Sequence, residues 1–344
     1  MFAAFLNLQK SGRCDGRIYM INKLIEYNFD SKALLENKHF IWYFLEIKSK
    51  KSIYTAKSYE RDIKDFFSVG SISEITIEDI KKVTILNTQN YIIKLMDRNM
   101  SSATINRKIS SLSALYKWLL KYQDNSTDTQ IIKYNPFGSL KEEKPVINNK
   151  ETEFLTKEEC KILLDSIDTT TILGYRNKTI LVLALTTALR KSEMINIKIK
   201  HITTYTGYDI VRVRRKGGKE DVVKLQASVL DMINQYILLT KRNKISSGEE
   251  YLFIGHSTNG MNKEKLDAST LNYMIKKVCK NAGIDKNLQV HSTRHTAITL
   301  AILAGATVEK VRDFAAHKNL ATTNRYIHSV DKLKNNAGDL IDVF

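Results

Sequence analysis

The sequence predicts a mainly α-helical protein of two domains, the second carrying one small β-hairpin, and three observations lead there. The only two prolines, Pro136 and Pro145, both lie in a polar stretch from Gln123 to Glu153, and prolines kept out of every helical segment mark a linker. On both sides of it apolar residues recur at three- and four-residue spacing, the period of a helix with one buried face. Alternation with period two appears around Gly217-Gly218 alone, where Ile210, Val211 and Val213 interleave with Arg212 and Arg214, and Val222, Val223 and Leu225 follow. A double glycine between two such runs reads as a tight hairpin turn with a basic tip.

In chain order, residues 1–37 form an extension with one short helical pattern, Ile18 to Tyr27, and an open role as either a contact arm or a tail. Residues 38–125 hold four helical patterns, His39 to Lys50, Ser52 to Ser68, Thr76 to Met96 and Ser101 to Tyr122, enough for a small all-α domain. The last of them buries Ile105, Ile109, Leu112, Leu115, Tyr116 and Leu119 and sets Arg107, Lys108 and Lys117 on the opposite face. Residues 126–153 are read as linker and residues 154–344 as the second domain. Thr156 with Glu159 three residues on is a helix start in which side chain and backbone cap each other. Helical patterns follow at Thr179 to Thr187, Leu271 to Ala282, Arg294 to Leu303, Thr307 to Ala315 and Asp331 to Ile341.

Fifty-four Lys and Arg against thirty-seven Asp and Glu leave a net charge of +17. Such an excess ranks a polyanion first among partners, because each neutralised phosphate releases condensed counterions. No apolar run approaches the roughly 18 residues that a membrane span needs, and the expected location is cytoplasmic. Cys14, Cys160 and Cys279 are odd in number and lack metal-ligand spacing, so they read as ordinary reduced thiols.

Three segments carry chemistry-bearing residues, and each also has a plainer reading. Arg190 ends an apolar run, where a buried guanidinium needs an anion; an ion pair with Glu193 alone would satisfy it. His291-Ser292-Thr293-Arg294-His295 opens an apolar helix, a place that attracts phosphate but is equally a solvated cap. Tyr326, nine residues after His317 and just beyond Thr322-Thr323, would be a packing residue in most proteins. No nucleotide-binding glycine loop occurs, and the glutamate of a helical zinc-protease motif is missing between the histidines.

Taken together, Arg190-Lys191-Ser192-Glu193-Met194, a lysine on the hairpin, His291 to His295, His317, Thr322-Thr323 and Tyr326-Ile327-His328 resemble the tyrosine recombinase, or phage integrase, family in order and separation. Ser101 to Leu119 resembles the last helix of that family's N-terminal core-binding domain, and Asn135-Pro136-Phe137 its exit. Two departures stand out: Ala315-Ala316 replaces the usual Leu-Gly before His317, and His201 stands where an Asp is common.

The resemblance implies a site-specific recombinase that cleaves and rejoins duplex DNA through a 3′-phosphotyrosyl link, with no cofactor and no metal. It implies Tyr326 as nucleophile, Arg190 and Arg294 on the nonbridging oxygens, His317 as a further donor, His291 as base and Lys216 as acid, with Lys219 competing for that last role. Glu193 would orient the arginines. Arg107, Lys108, Lys117, Arg212, Arg214 and Arg215 are the candidates for DNA contact. The apolar residues Leu333, Leu340, Ile341, Val343 and Phe344 resemble a helix passed to a neighbour in a synaptic tetramer on DNA. A type IB topoisomerase shares the nucleophile and arginines and is the alternative; a non-catalytic DNA-binding regulator would be expected to have lost part of the set.

Overall fold

A computed structural model describes residues 40–124, 129–138, 140, 142–147, 152–215, 217–257 and 260–334, and these divide into two compact units, one ending at Asn149 and the other beginning at Lys150. The mainly helical fold with a small antiparallel sheet is the one expected. Both Ile18 to Tyr27 and residues 335–344 lie outside the described residues, as does Lys216.

The first unit contains α1 (Phe40–Lys51), α2 (Ile53–Phe67), α3 (Ile77–Lys81), α4 (Ile85–Asp97) and α5 (Ser102–Leu119), followed by a two-residue pairing of β1 (Gln123–Asp124) with β2 (Thr129–Gln130). The single helix expected over 76–96 is two helices. Thr84 accepts the amide N–H of Asn87 and receives that side chain's oxygen on its own N–H at 2.8 Å, which starts α4 afresh. Phe44, Ile63, Leu95, Ile105, Ile109, Leu112 and Leu115 are all but fully buried in its core. Ile131, Ile132, Phe137 and Leu140 belong to the same core, so this part of the stretch read as linker is packed protein. Each such side chain withdrawn from water contributes about 1.5–3 kcal/mol.

The second unit runs α6 (Lys157–Asp165), α7 (Ile172–Thr187), α8 (Lys191–Met194), β3 (Ile202–Tyr205), β4 (Tyr208–Arg214), β5 (Glu220–Lys224), α9 (Ala227–Leu239), β6 (Ile254–Ser257), β7 (Gly260–Lys265), α10 (Ala268–Asn281), α11 (Val290–Leu303), α12 (Val308–Ala315) and α13 (Leu320–Lys334). The expected hairpin is β4–β5, with Arg214 opposite Glu220, and β3 adds a third antiparallel strand. Thr156 and Glu159 cap α6 reciprocally as the sequence indicated. The main core gathers α7, β4, α9, α10 and the start of α11 around Leu181, Leu183, Val211, Ile233 and Tyr236. A smaller cluster, Ala188, Ala297, Ile298, Val311 and Ala315, joins the end of α7 to α11 and α12, and Tyr326 packs against it. Cys160 and Cys279 are buried free thiols, and burial pushes the first up to about 11.

Candidate active site

The site is assembled where three helix ends of the second unit meet. Helix α7 stops because Ala188 turns left-handed, with φ 50° and ψ 25°, and two residues later Arg190 begins α8. Its backbone N–H donates to Glu193 Oε2 at 2.8 Å and its Nη1 to Glu193 Oε1 at 2.9 Å. The same carboxylate accepts Arg215 Nη1 from the end of β4 at 2.7 Å, and Arg215 Nε donates to Asp221 Oδ2 at 2.9 Å. Glu193, at 4% exposure, is a buried charge that two guanidiniums neutralise.

Arg294, one turn into α11, is 2% exposed. Its guanidinium donates to the carbonyls of Ala188 and Ala315, which end α7 and α12. Helix C-termini carry unpaired carbonyls and partial negative charge, and a cation there satisfies both. Burial, then the neighbouring Arg190, lowers its pKa to about 10, still charged at neutral pH. His291, exposed in the first turn of α11, is held below the usual imidazole range by desolvation and by the charges of Arg294 and Arg190.

The third helix end is that of α12, where Ala316 adopts φ 46° and ψ 52° and delivers His317. His317 Nδ1 lies 2.9 Å from Thr323 Oγ1. With the hydroxyl donating to Nδ1, the imidazole proton sits on Nε2, available to an anion. Desolvation and the two arginines lower its pKa to about 4, so the ring is neutral at pH 7. Helix α13 carries Tyr326 with its ring centroid 5.8 Å from that of His317 and 4.6 Å from that of His295. Burial holds the phenol's pKa above its ordinary value, and the positive charges of Arg294, Arg325 and Arg190 offset only part of that rise. Arg190 and Arg294 therefore bear on one protonated phenol and one neutral imidazole, an arrangement that can neutralise a phosphodiester beside the phenol.

Residues 153–332 match the phage integrase family, and residues 41–123 match the phage integrase N-terminal SAM-like domain. The chain belongs to the phage integrase family. As a tyrosine recombinase it catalyses DNA cleavage and rejoining, in site-specific recombination. Relatives include the tyrosine recombinase XerC of Staphylococcus saprophyticus, 27% identical over 287 residues that cover 83% of this chain and 90% of that protein. The tyrosine recombinase XerD of Staphylococcus aureus is 27% identical over 289 residues, covering 83% and 91%. In fold, the recombinase resembles XerH bound to a palindromic difH substrate, with a TM-score of 0.68, 18% identity and 95% and 91% of the two chains covered. It also resembles the Tn1549 transposon integrase in complex with a circular intermediate DNA, with a TM-score of 0.61, 18% identity, and 83% and 92% covered.

Of the residues singled out from the sequence, Arg190, Glu193, His291, Arg294, His317 and Tyr326 come together in the recombinase. Lys219 is exposed at the hairpin turn, its carbonyl accepting the Arg215 N–H at 2.8 Å. Arg212 lies over the ring of Tyr205 at 5.8 Å, and Arg214 Nε reaches the Gly218 carbonyl at 3.4 Å; both are exposed, as is Lys117. Arg107, 40% exposed in its side chain, is held by Asp62 and Ser58.

Two cations read as DNA contacts are not on the surface. The Lys108 side chain is 7% exposed and its ammonium donates to Asp65 at 2.8 Å, with Asp62 at 3.7 Å. Arg215 is 9% exposed and is held between Glu193 and Asp221. Acidic residues far along the chain, unseen in a single helix pattern, draw both inward. Thr323 lies within α13, which begins at Leu320 after Asn319 accepts the Ala321 N–H at 2.9 Å, and is a buried partner of His317. Lys318 was not singled out, yet its ammonium lies 3.8 Å from where a Cβ on Gly217 would sit, at the hairpin turn. His201, where an Asp is common, accepts the Lys198 N–H on Nδ1 at 3.1 Å and so does a carboxylate's work.

Proposed function

We propose that Tyr326 is the nucleophile and attacks a scissile phosphate of double-stranded DNA gripped by Arg190 and Arg294 of the same chain. The phenolic oxygen forms a bond to phosphorus, the 5′ oxygen leaves, and a 3′-phosphotyrosyl link stores the bond energy for rejoining. The observation that carries this reading is the convergence of both guanidiniums and His317 on the Tyr326 ring within one unit of one chain. Holding the phosphate in line with the attacking oxygen is worth several kcal/mol of barrier in itself.

His317 donates from Nε2 to a nonbridging oxygen, and His291, neutral at pH 7, accepts the phenol proton. Lys216 protonates the leaving 5′ oxygen, with Lys219 as the competing donor on the same turn. Surface charge supports duplex binding, with Arg107, Lys117, Arg212 and Arg214 contributing phosphate contacts that position the DNA. Recombination exchanges strands between two duplexes, so the working assembly is a tetramer on DNA, in which the apolar tail beyond residue 334 contacts a neighbour. No observation favours the topoisomerase alternative.

The test is a nicked duplex built on inverted repeats taken from DNA beside the coding sequence, with the nick placed so that the cleaved fragment diffuses away. Wild type accumulates a covalent protein–DNA adduct and Tyr326→Phe accumulates none; equal adduct from both would remove Tyr326 from the reaction.

A further inference from the structure

We propose that Arg215 is a positioning residue that sets the orientation of Arg190 by way of Glu193; the inference rests on the assignment of Arg190 to the scissile phosphate. Four charges alternate along one connected line: Asp221 accepts from Arg215 Nε at 2.9 Å, Arg215 Nη1 donates to Glu193 Oε2 at 2.7 Å, and Glu193 Oε1 accepts from Arg190 Nη1 at 2.9 Å. Its two middle members are buried and its two ends are not, Asp221 being 38% exposed in its side chain. Arg215 is 9% exposed in its side chain and Glu193 2%, whereas Arg190 is 34% exposed. Of the two guanidiniums on this carboxylate, Arg190 is the one that presents surface to a ligand.

The division of the carboxylate is the physical point. A carboxylate alone with one arginine closes on it with both oxygens, in a two-pronged fork. That is the same fork a phosphate requires. Here Oε2 is engaged by Arg215 and by the Arg190 backbone N–H, at 2.8 Å, so Glu193 meets the Arg190 side chain through Oε1. Sharing one negative charge between two cations also leaves Arg190 more electropositive toward DNA. Arg215 is itself anchored at both ends, its backbone N–H to the Lys219 carbonyl at 2.8 Å and its side chain to Asp221 across the base of the hairpin. Without it, Glu193 turns both oxygens onto Arg190 and withdraws donors from the phosphate.

The experiment measures the rate of covalent adduct formation on nicked site DNA as a function of protein concentration, giving a saturating rate and a half-saturating concentration. Full-length wild type is compared with Arg215→Gln, Glu193→Gln and the double variant, with Tyr326→Phe confirming in parallel that the adduct is the tyrosyl link. Arg215→Gln is expected to lower the saturating rate about 100-fold, the scale of a misplaced reacting group, and to leave the half-saturating concentration and its salt dependence unchanged. The double variant is expected to be no slower than Glu193→Gln, since residues acting in one line do not add. The double variant also removes the buried pair together, which keeps the comparison readable if the single Arg215→Gln protein melts at the assay temperature.

Two results overturn the proposal. One is a shifted half-saturating concentration with a shallower salt slope and an unchanged saturating rate, the signature of a phosphate contact. The other is a full further loss on adding Arg215→Gln to Glu193→Gln. Either leaves the tyrosine assignment intact, because that falls only if Tyr326→Phe forms adduct.

Discussion

Two alanines close helices in a conformation that L residues avoid, and replacing each with glycine separates backbone strain from packing. Ala316 has φ 46° and ψ 52°, Ala188 φ 50° and ψ 25°. A Cβ in the left-handed region costs roughly 1–2 kcal/mol, and glycine gives back about 0.5–1 kcal/mol of that through the greater freedom of the unfolded chain. At 316, a partly exposed position, the methyl itself contributes little, so Ala316→Gly should stabilise the second unit by about 0.5–1 kcal/mol. At 188 the methyl is fully buried in the small cluster beneath Tyr326, and losing it costs about 0.8 kcal/mol, which cancels the gain. For a unit of this size 1 kcal/mol moves Tm by about 2–4 °C. Calorimetry should therefore show Ala316→Gly melting about 1–4 °C higher and Ala188→Gly near wild type. Both tryptophans, Trp42 and Trp118, lie in the first unit, so their fluorescence identifies which transition has moved. An unchanged or lower Tm for Ala316→Gly, or an equal rise at both sites, refutes the reasoning.

Asp62, fully buried, accepts from Arg107 and Ser111 and lies 3.7 Å from Lys108; Asp62→Ala should lower first-unit stability by about 3–5 kcal/mol, as breaking a buried ion pair does, read from urea melts followed by tryptophan fluorescence. Thr323→Val removes the hydroxyl that orients His317 while keeping its shape, and the loss of one hydrogen bond of about 1 kcal/mol should slow adduct formation about fivefold with DNA binding unchanged; an unaltered rate would show the contact to be idle. His317 and His291 both have pKa values lowered by folding, the first to about 4. The unfolded chain then binds more protons than the folded one between pH 6.5 and 4, so stability present above pH 6.5 falls as pH drops through that window. His317→Asn should flatten part of that slope in melts from pH 7 to pH 4, and an identical slope would place the titration elsewhere.

The candidate site is legible in the sequence because its pieces are local. Arg190 and Glu193 sit three apart and bond across one turn, and His291 and Arg294 sit three apart on one helix. The cap at Thr156 is equally legible, accepting the N–H of Glu159 three residues on. What escaped depends on partners distant in sequence. Lys108 looks like part of a basic face until Asp65 from α2 is placed beside it, 43 residues away. Arg215 looks like hairpin surface until Glu193 meets it 22 residues back. Helix α9 buries Val229, Ile233, Tyr236 and Ile237, a helical stripe that follows directly on the alternation of the hairpin strands. The β6–β7 hairpin spans Ile254 to Lys265, where the polar run Asn262-Lys263-Glu264-Lys265 shows no alternation.

Arg294 hangs from the last turns of two helices drawn from separate stretches of chain, α7 and α12. Fraying of either end releases the guanidinium, whereas the tyrosine stays on its own helix. On the proposed roles, a molecule caught part-way through folding, or loosened by damage, therefore retains its phenol but loses one of the two guanidiniums that hold the phosphate. The power to cut DNA is confined in this way to chains that have finished folding.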